Sequence, residues 1–270
     1  AKDGGQLPTG QILARGVECD NFMDARMFFK NGGQKGKQVK YLNTGVYRIN
    51  TLLFDVSVTD ITTIGEGQVG IITSQDGRPL TQNQIAGDPV DSSETTGHNN
   101  FQDFDKFLIA GGQRGLQTQF ILAGSYSLNP WAVSIESVPM IEIPIGNVGI
   151  VISYVGADGV DVTGANFKHG NIVGKGQKGV WNTPLDPGKY PINPYTTKIQ
   201  IVPTTNLVLN WATGRNESHN LDKNLSTITV RSKDGFPFNL DVSQIIHIPK
   251  SEAPKVIARF GAMQNLVSQV

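Results

Sequence analysis

The chain has a single cysteine, Cys19, among 270 residues. No internal disulfide can form, which excludes a disulfide-stapled scaffold and favours a reducing compartment. It has no excess of charge either: 23 Lys and Arg balance 23 Asp and Glu. Nucleic acid and strongly anionic membrane surfaces are therefore poor direct partners. No hydrophobic run is long enough to cross a bilayer. The best candidate, residues 138–155, is interrupted by Pro139, Glu142, Pro144 and Asn147, residues that suit strands and turns.

Recognisable chemistry is also missing. His98, His169, His219 and His247 are far apart and lack the spacing of a metal site. They are expected to be solvent-exposed, the first three in polar loops and His247 on a strand. Glu18 and Asp20 flank Cys19, and acidic neighbours raise a thiol pKa and argue against a nucleophile. Two segments, residues 65–70 and 174–179, match G-x-G-x-x-G. A dinucleotide fingerprint needs a following helix, and here strand-like or proline-rich sequence follows instead. No catalytic, cofactor-binding or metal-ligating residue is assigned, and the chain is not expected to be an enzyme.

What the chain does have is glycine, proline and repetition. Thirty-one Gly and 14 Pro, with 38% hydrophobic residues, describe a turn-rich, β-leaning protein of two or three small domains. An eighteen-residue pattern, G-Q-[KR]-G, then [LI], then G-x-Y-x-[IL]-N, occurs ungapped at residues 33–50, 112–129 and 176–193. Upstream, the first two copies share F-x-D, an aromatic or apolar pair and G-G: Phe22-x-Asp24 with Phe28-Phe29, and Phe101-x-Asp103 with Phe107-Leu108. Asp24 and Asp103 recur in place and read as structural caps or turns. Downstream lie Gly67–Ile71 and Gly146–Ile150 in G-x-V-G-I, at one offset. Such an array is a scaffold signature before it is an enzyme signature.

Period-two alternation predicts a half-buried strand after each copy: Phe54-Val56-Val58, Val133-Ile135 and Thr197-Ile199-Ile201. Tyr47, Tyr126 and Tyr190 are read as core residues whose hydroxyls find partners. Pro191 places its strand at an edge or interrupts it. Residues 74–100 read as a long mobile loop, residues 156–176 as a second insertion and residues 212–224 as a third polar stretch. Residues 228–232 and 236–248 form a predicted hairpin around Asp234-Gly235. Beyond Pro249, with Ser251 as N-cap, Val256, Phe260, Met263, Val267 and Val270 make a helical stripe running to the last residue. That stripe, and an opening at Ala1 without Met, lead us to expect a piece of a longer protein.

The strand, K-D-G turn, strand and amphipathic helix of residues 227–260 resemble the SPFH, or Band 7, domain of stomatins, prohibitins and flotillins. Residues 185–194 (LDPGKYPINP) resemble that domain's proline/glycine hairpin, and residues 146–152 (GNVGIVI) its opening strand. The first half resembles repeats related to the same opening subdomain. Bacterial flotillin-like proteins can carry such repeats, and the shell-forming major vault protein sets an SPFH-like shoulder after a row of them. The resemblance implies an α+β, mostly β fold in three parts: residues 1–64, 65–143 with its polar loop, and 144–270 as an SPFH domain truncated in its helical half. It implies no catalytic residues and no cofactor. It further implies a membrane-associated homo-oligomeric scaffold of rings or cages that organises a membrane microdomain or client proteins, on the cytoplasmic side, with the membrane anchor outside these residues. The alternative is a β-rich module that binds peptide or carbohydrate through its polar loops.

Overall fold

The computed structural model describes residues 1–164, 172–214 and 220–269. Strand occupies 32% and helix 10%, an α+β fold that is mostly β. The chain divides into two units, Ala1–Met140 with Pro191–Asn193, and Ile141–Tyr190 with Pro194–Val270.

The first unit holds two repeats built on the same local plan. Each enters a short helix, α1 (Ala25–Lys30) or α2 (Phe104–Ile109), through three consecutive residues with positive φ. These are Asp20, Asn21 and Phe22 in one repeat and Asn99, Asn100 and Phe101 in the other. Asp and Asn tolerate the left-handed region, but a bulky Phe does so at a cost. That cost is offset by burial, since both phenylalanines enter aromatic clusters, Phe101 with its ring centroid 5.3 Å from that of Phe107. The expected caps are present: Asp24 accepts from the N–H groups of Arg26 and Met27, and Asp103 from that of Lys106.

The paired glycines after each helix have a steric cause. A Cβ on Gly112 would lie 2.4 Å from the Phe107 ring, and one on Gly33 would lie 2.5 Å from the Phe28 ring. The chain must pass directly beneath the aromatic anchor to reach the sheet. In the second repeat the strands are β1 (Thr62–Ile64), β2 (Gln68–Ser74), β3 (Gly115–Ile121), β4 (Gly124–Tyr126) and β5 (Val133–Pro139), in one three-stranded and one two-stranded sheet. β2 lies antiparallel between β3 and β5, and β1 pairs with β4. Ile64, Ile72, Ile121 and Val133 from these strands pack on Phe104 and Phe107 to form the main core.

The second unit contains β6 (Ile141–Ile143), β7 (Asn147–Ser153), β8 (Ala157–Asp158), β9 (Ile172–Val173), β10 (Gln177–Trp181), β11 (Gly188–Tyr190) and β12 (Thr197–Pro203). β7 lies between β12 and β10, and β6 pairs with β11, repeating the plan of the second repeat. Then come β13 (Leu207–Trp211), β14 (Ile228–Arg231), β15 (Pro237–Leu240), β16 (Val242–Ile246), α3 (Ala253–Phe260) and α4 (Met263–Val267). Ile257 and Met263 of the helices close a core with Val148, Ile150 and Leu207.

Several expectations need correction. Residues 54–60 alternate as a strand should but form none, because no described segment pairs with them. Residues 74–100 are not a free loop: Asp76, Ala86 and His98 are buried, and Arg78 and Gly87 bridge to Gln113 and Gln117. The segment corresponds to residues 1–21 of the first repeat, and Asp3-Gly4, Leu7 and Gln11-Ile12 match Asp76-Gly77, Leu80 and Gln84-Ile85. Residues 236–248 do not form one strand. β15 returns along β14 around Asp234-Gly235, while β16 pairs with β13 in a different sheet. The C-terminal stripe is cut in two at Gly261, whose φ of 74° ends α3. Ser251 does not cap α3; the position before it is Glu252. Val270 lies outside the described residues, as do His169, His219 and part of the insertions read at 156–176 and 212–224. Pro191 does interrupt, since β11 stops at Tyr190.

His98 departs most from expectation. Instead of being exposed it is fully buried, and its Nδ1 accepts from the Phe101 N–H at 2.8 Å. Burial lowers its pKa below the ordinary 6.5, opposed in part by Gln119 and nearby backbone groups. His247 lies just past the end of β16 and is exposed.

Two outcomes are expected. Gly112→Ala drives a methyl into the Phe107 ring and should cost about 1–3 kcal/mol in urea unfolding of the first unit. The unfolded chain protonates its histidine before the folded one does. Stability is therefore full above 6.5 and declines as pH falls through that value. His98→Gln should flatten this slope between about pH 7 and about pH 5.5, measured by urea titration at each pH.

Candidate functional site

The motif's polar residues mostly face the backbone rather than a cavity. Each repeated tyrosine sends its hydroxyl to the carbonyl four residues earlier: Tyr47 to Asn43, Tyr126 to Leu122 and Tyr190 to Asp186. Their rings are half-buried, so the core reading holds in part. The glutamine of G-Q-[KR]-G reads the preceding segment, with Gln34 Oε1 accepting from the Arg15 N–H and Gln113 Oε1 from the Asp88 N–H. Four residues on, Gln38 donates to the Gln34 and Gly36 carbonyls, and Gln117 to those of Gln113 and Gly115. In the third copy Trp181 takes that place and its indole N–H donates to the Gln177 carbonyl. A different side chain makes the same bond.

The terminal asparagine of the second copy joins it to the first. Asn129 Nδ2 donates to the Gln38 and Val39 carbonyls, both at 2.9 Å, and Asn129 Oδ1 accepts from the Trp131 N–H. Asn193, which groups with the first unit, donates to the Gln117 carbonyl at 3.0 Å. Gln117 holds the position in the second copy that Gln38 holds in the first. Asn129 and Asn193 are buried, whereas Asn50, the counterpart in the first copy, is exposed.

A carboxylate adds a second link between the first two repeats. Asp76 is 1% exposed, and its Oδ2 accepts from the Ile12 and Leu13 N–H groups and from Arg15 Nη1 at 3.0 Å. A buried carboxylate needs several donors to offset its desolvation, and here three converge on one oxygen. Tyr41 donates to the Ser127 carbonyl, and Asp105 accepts from the Gly16 N–H. Sequence reasoning noted the asparagine only as the end of a pattern and missed Asp76. The signals available were the asparagine's recurrence in all three copies and the matched Asp-Gly pairs at 3–4 and 76–77.

A concavity belongs to the same contact. It is an open cleft of about 410 Å³ lined in part by Lys40, Tyr41, Gln102, Asp103 and Asp105. Burial raises the Asp105 pKa above 3.8, opposed by the Gly16 hydrogen bond. Asp103 is the α2 cap and pairs with Lys106. With both carboxylates engaged structurally, the cleft has no poised acid–base pair. Cys19 is buried, and burial is the first cause of its raised pKa, with Glu18 and Asp24 adding to it. Sequence had pointed only to the acidic neighbours. Both glycine motifs enter strands, β2 and β10, so neither offers a helix N-terminus to a pyrophosphate. Among the described residues no His/Cys/Asp/Glu cluster could hold a metal, and no helix is long and apolar enough to cross a membrane.

These features define a class: a mostly β chain of like repeats, hydrogen-bonded in series and leading into a strand-and-helix unit. Residues 141–270 match the family model described as SPFH domain / Band 7 family. Proteins of that family are in general membrane-associated, non-enzymatic scaffolds. No curated protein and no solved structure matches the chain.

Asn129→Ala removes a donor from two carbonyls at a buried contact and should destabilise the first unit by about 1–3 kcal/mol. Asn50→Ala, at the exposed counterpart, should change stability by less than about 0.5 kcal/mol. Denaturant unfolding of the two variants side by side tests whether the link between repeats, and not the motif's own turn, carries the energy.

Proposed function

We propose that this protein is a non-enzymatic, membrane-associated scaffold of flotillin-like type that assembles laterally into rings or cages. In this reading the chain works in three parts, residues 1–64, 65–143 and 144–270, the first two forming a stiff wall and the last an SPFH domain. The assembly would organise a membrane microdomain or its client proteins from the cytoplasmic side, with repeats used as in the vault shell. The observation that carries the reading is the tie of Asn129 to the first repeat, in a chain whose residues 141–270 match the SPFH domain / Band 7 family model. A link made by one side chain to the backbone of the preceding repeat fixes the spacing of the first two repeats. A row of constant spacing is what identical chains need to pack side by side and close by symmetry. Zero net charge leaves no large self-repulsion to oppose dense packing.

The alternative, peptide or carbohydrate binding through polar loops, has less to draw on. The polar groups of residues 74–100 are largely occupied internally, for example Thr96 with Asp91 and Thr81 with Gln84.

Negative-stain microscopy of the protein extracted gently with lipid from its membranes, with sedimentation over a range of concentrations, tests the scaffold. Rings, arcs or cages of constant lateral spacing are expected. Monomers under every condition would sink the proposal.

A further inference from the structure

The turn that leads into each short helix carries a side-chain acceptor at one fixed place. In the second repeat it is His98, whose Nδ1 accepts from the Phe101 N–H at 2.8 Å. In the first repeat the same place, three residues before Phe22, holds Cys19, and its sulfur takes the hydrogen bond of the Phe22 N–H. The backbone around the two is alike: the Asp103 N–H donates to the His98 carbonyl at 3.0 Å, and the Asp24 N–H to the Cys19 carbonyl at 3.1 Å. Both acceptors are buried. Each holds the third left-handed residue of its turn, the phenylalanine that enters the aromatic cluster.

Only one of these acceptors changes charge near neutrality. Burial, the first cause, pushes the Cys19 thiol above its ordinary 9.0, so it stays neutral there. An imidazole accepts through Nδ1 only while that nitrogen is unprotonated, and an imidazolium carries N–H on both nitrogens. A protonated His98 would aim a donor at the Phe101 N–H, and its charge would lie among the rings of Phe101 and Phe107, with centroids 4.3 and 5.5 Å away. Asp91, an exposed carboxylate on the same loop, favours the charged form, whereas Gln119 of β3 and Phe107 of α2 bring no charge. α2 also carries Asp103, Asp105 and Lys106, which are engaged with the helix cap, the Gly16 N–H and the Thr95 carbonyl respectively. The turn is therefore a joint as well. It delivers α2, whose Asp105 reaches the first repeat at Gly16, and its Gln102 accepts from the Ser127 N–H.

We propose that His98 is a proton-operated latch on the second repeat. Protonation breaks its bond to the Phe101 N–H, the turn of residues 98–103 opens with Phe101 leaving the cluster, and the contact of α2 with Gly16 loosens. The first repeat, latched by Cys19, stays shut over the same range. The closed turn is fully populated above the ordinary histidine pKa of 6.5 and is lost as pH falls below it, because the open turn binds the proton more readily. Asn129 holds the Gln38 and Val39 carbonyls with an amide that does not titrate, so the joint between the repeats softens without parting. The inference does not depend on the scaffold reading.

Amide hydrogen exchange of the whole chain, corrected for the intrinsic rate at each pH, is the test. Between about pH 7 and about pH 5 the protection of the Phe101 and Asp103 amides should fall by about tenfold, while that of the Phe22 and Asp24 amides changes by less than about twofold. His98→Cys, which installs the first repeat's acceptor, and His98→Asn both keep an acceptor that does not titrate in this range, and both should abolish the fall. An unchanged Phe101 amide overturns the proposal, and so does equal loss in both repeats, which is global unfolding. A loss that persists in the variants also overturns it and would assign the response to Asp105, whose pKa burial raises.

Discussion

The first unit depends on a short polar contact, the amide of Asn129 donating to the carbonyls of Gln38 and Val39. Those carbonyls belong to a segment that makes little regular sheet, so their lone pairs need a donor once they are buried. One asparagine meets that need and at the same time sets the distance from one repeat to the next. Asn129 Oδ1 accepts from the Trp131 N–H, which fixes the amide orientation from its own side. Asp76 supports the same contact through the Leu13 N–H and Arg15. Apolar packing then adds to a geometry that these polar groups specify: Leu13 and Val39 from the first repeat pack in one cluster with Phe104 and Phe107 of the second.

Each repeat is otherwise organised around one aromatic anchor. Phe28 and Phe107 stand over a glycine that permits the chain to pass, and three left-handed residues deliver Phe22 and Phe101 to them. This arrangement stores conformational cost in the turn and recovers it through burial, so turn and cluster form together. The third copy keeps the G-Q-K-G turn and the tyrosine corner, and Trp181 replaces the glutamine while preserving its bond to the backbone. Conservation of the bond despite a change of side chain is a stronger sign of structural purpose than identity of sequence.

The same facts account for the polar side chains of the repeated motif. Gln34, Gln38, Gln113, Gln117, Asp24 and Asp103 are the residues a reader would recruit for a site, and each already holds backbone groups. The arrangement uses these polar side chains to hold the backbone, ahead of residues 141–270, which match the SPFH domain / Band 7 family model.

Sequence alone determined the β class, the three copies, the helix caps at Asp24 and Asp103, and the strands β5 and β12. All of these rest on local rules: periodicity, turn chemistry and capping act within a few residues. Tertiary structure decided the rest. His98 is buried although its neighbours are polar, because a pocket formed with Phe101 and Phe107 closes over it. Residues 74–100 are held down by bonds to Gly112, Gln113 and Leu116, which lie far along the chain. Residues 54–60 have the alternation of a strand and no sheet, because a strand exists only when another segment pairs with it. Asn50, Asn129 and Asn193 are the same letter in the same pattern, yet Asn50 is exposed while Asn129 and Asn193 are buried and donate to distant carbonyls. That difference lies in what each one touches, which a local pattern does not encode.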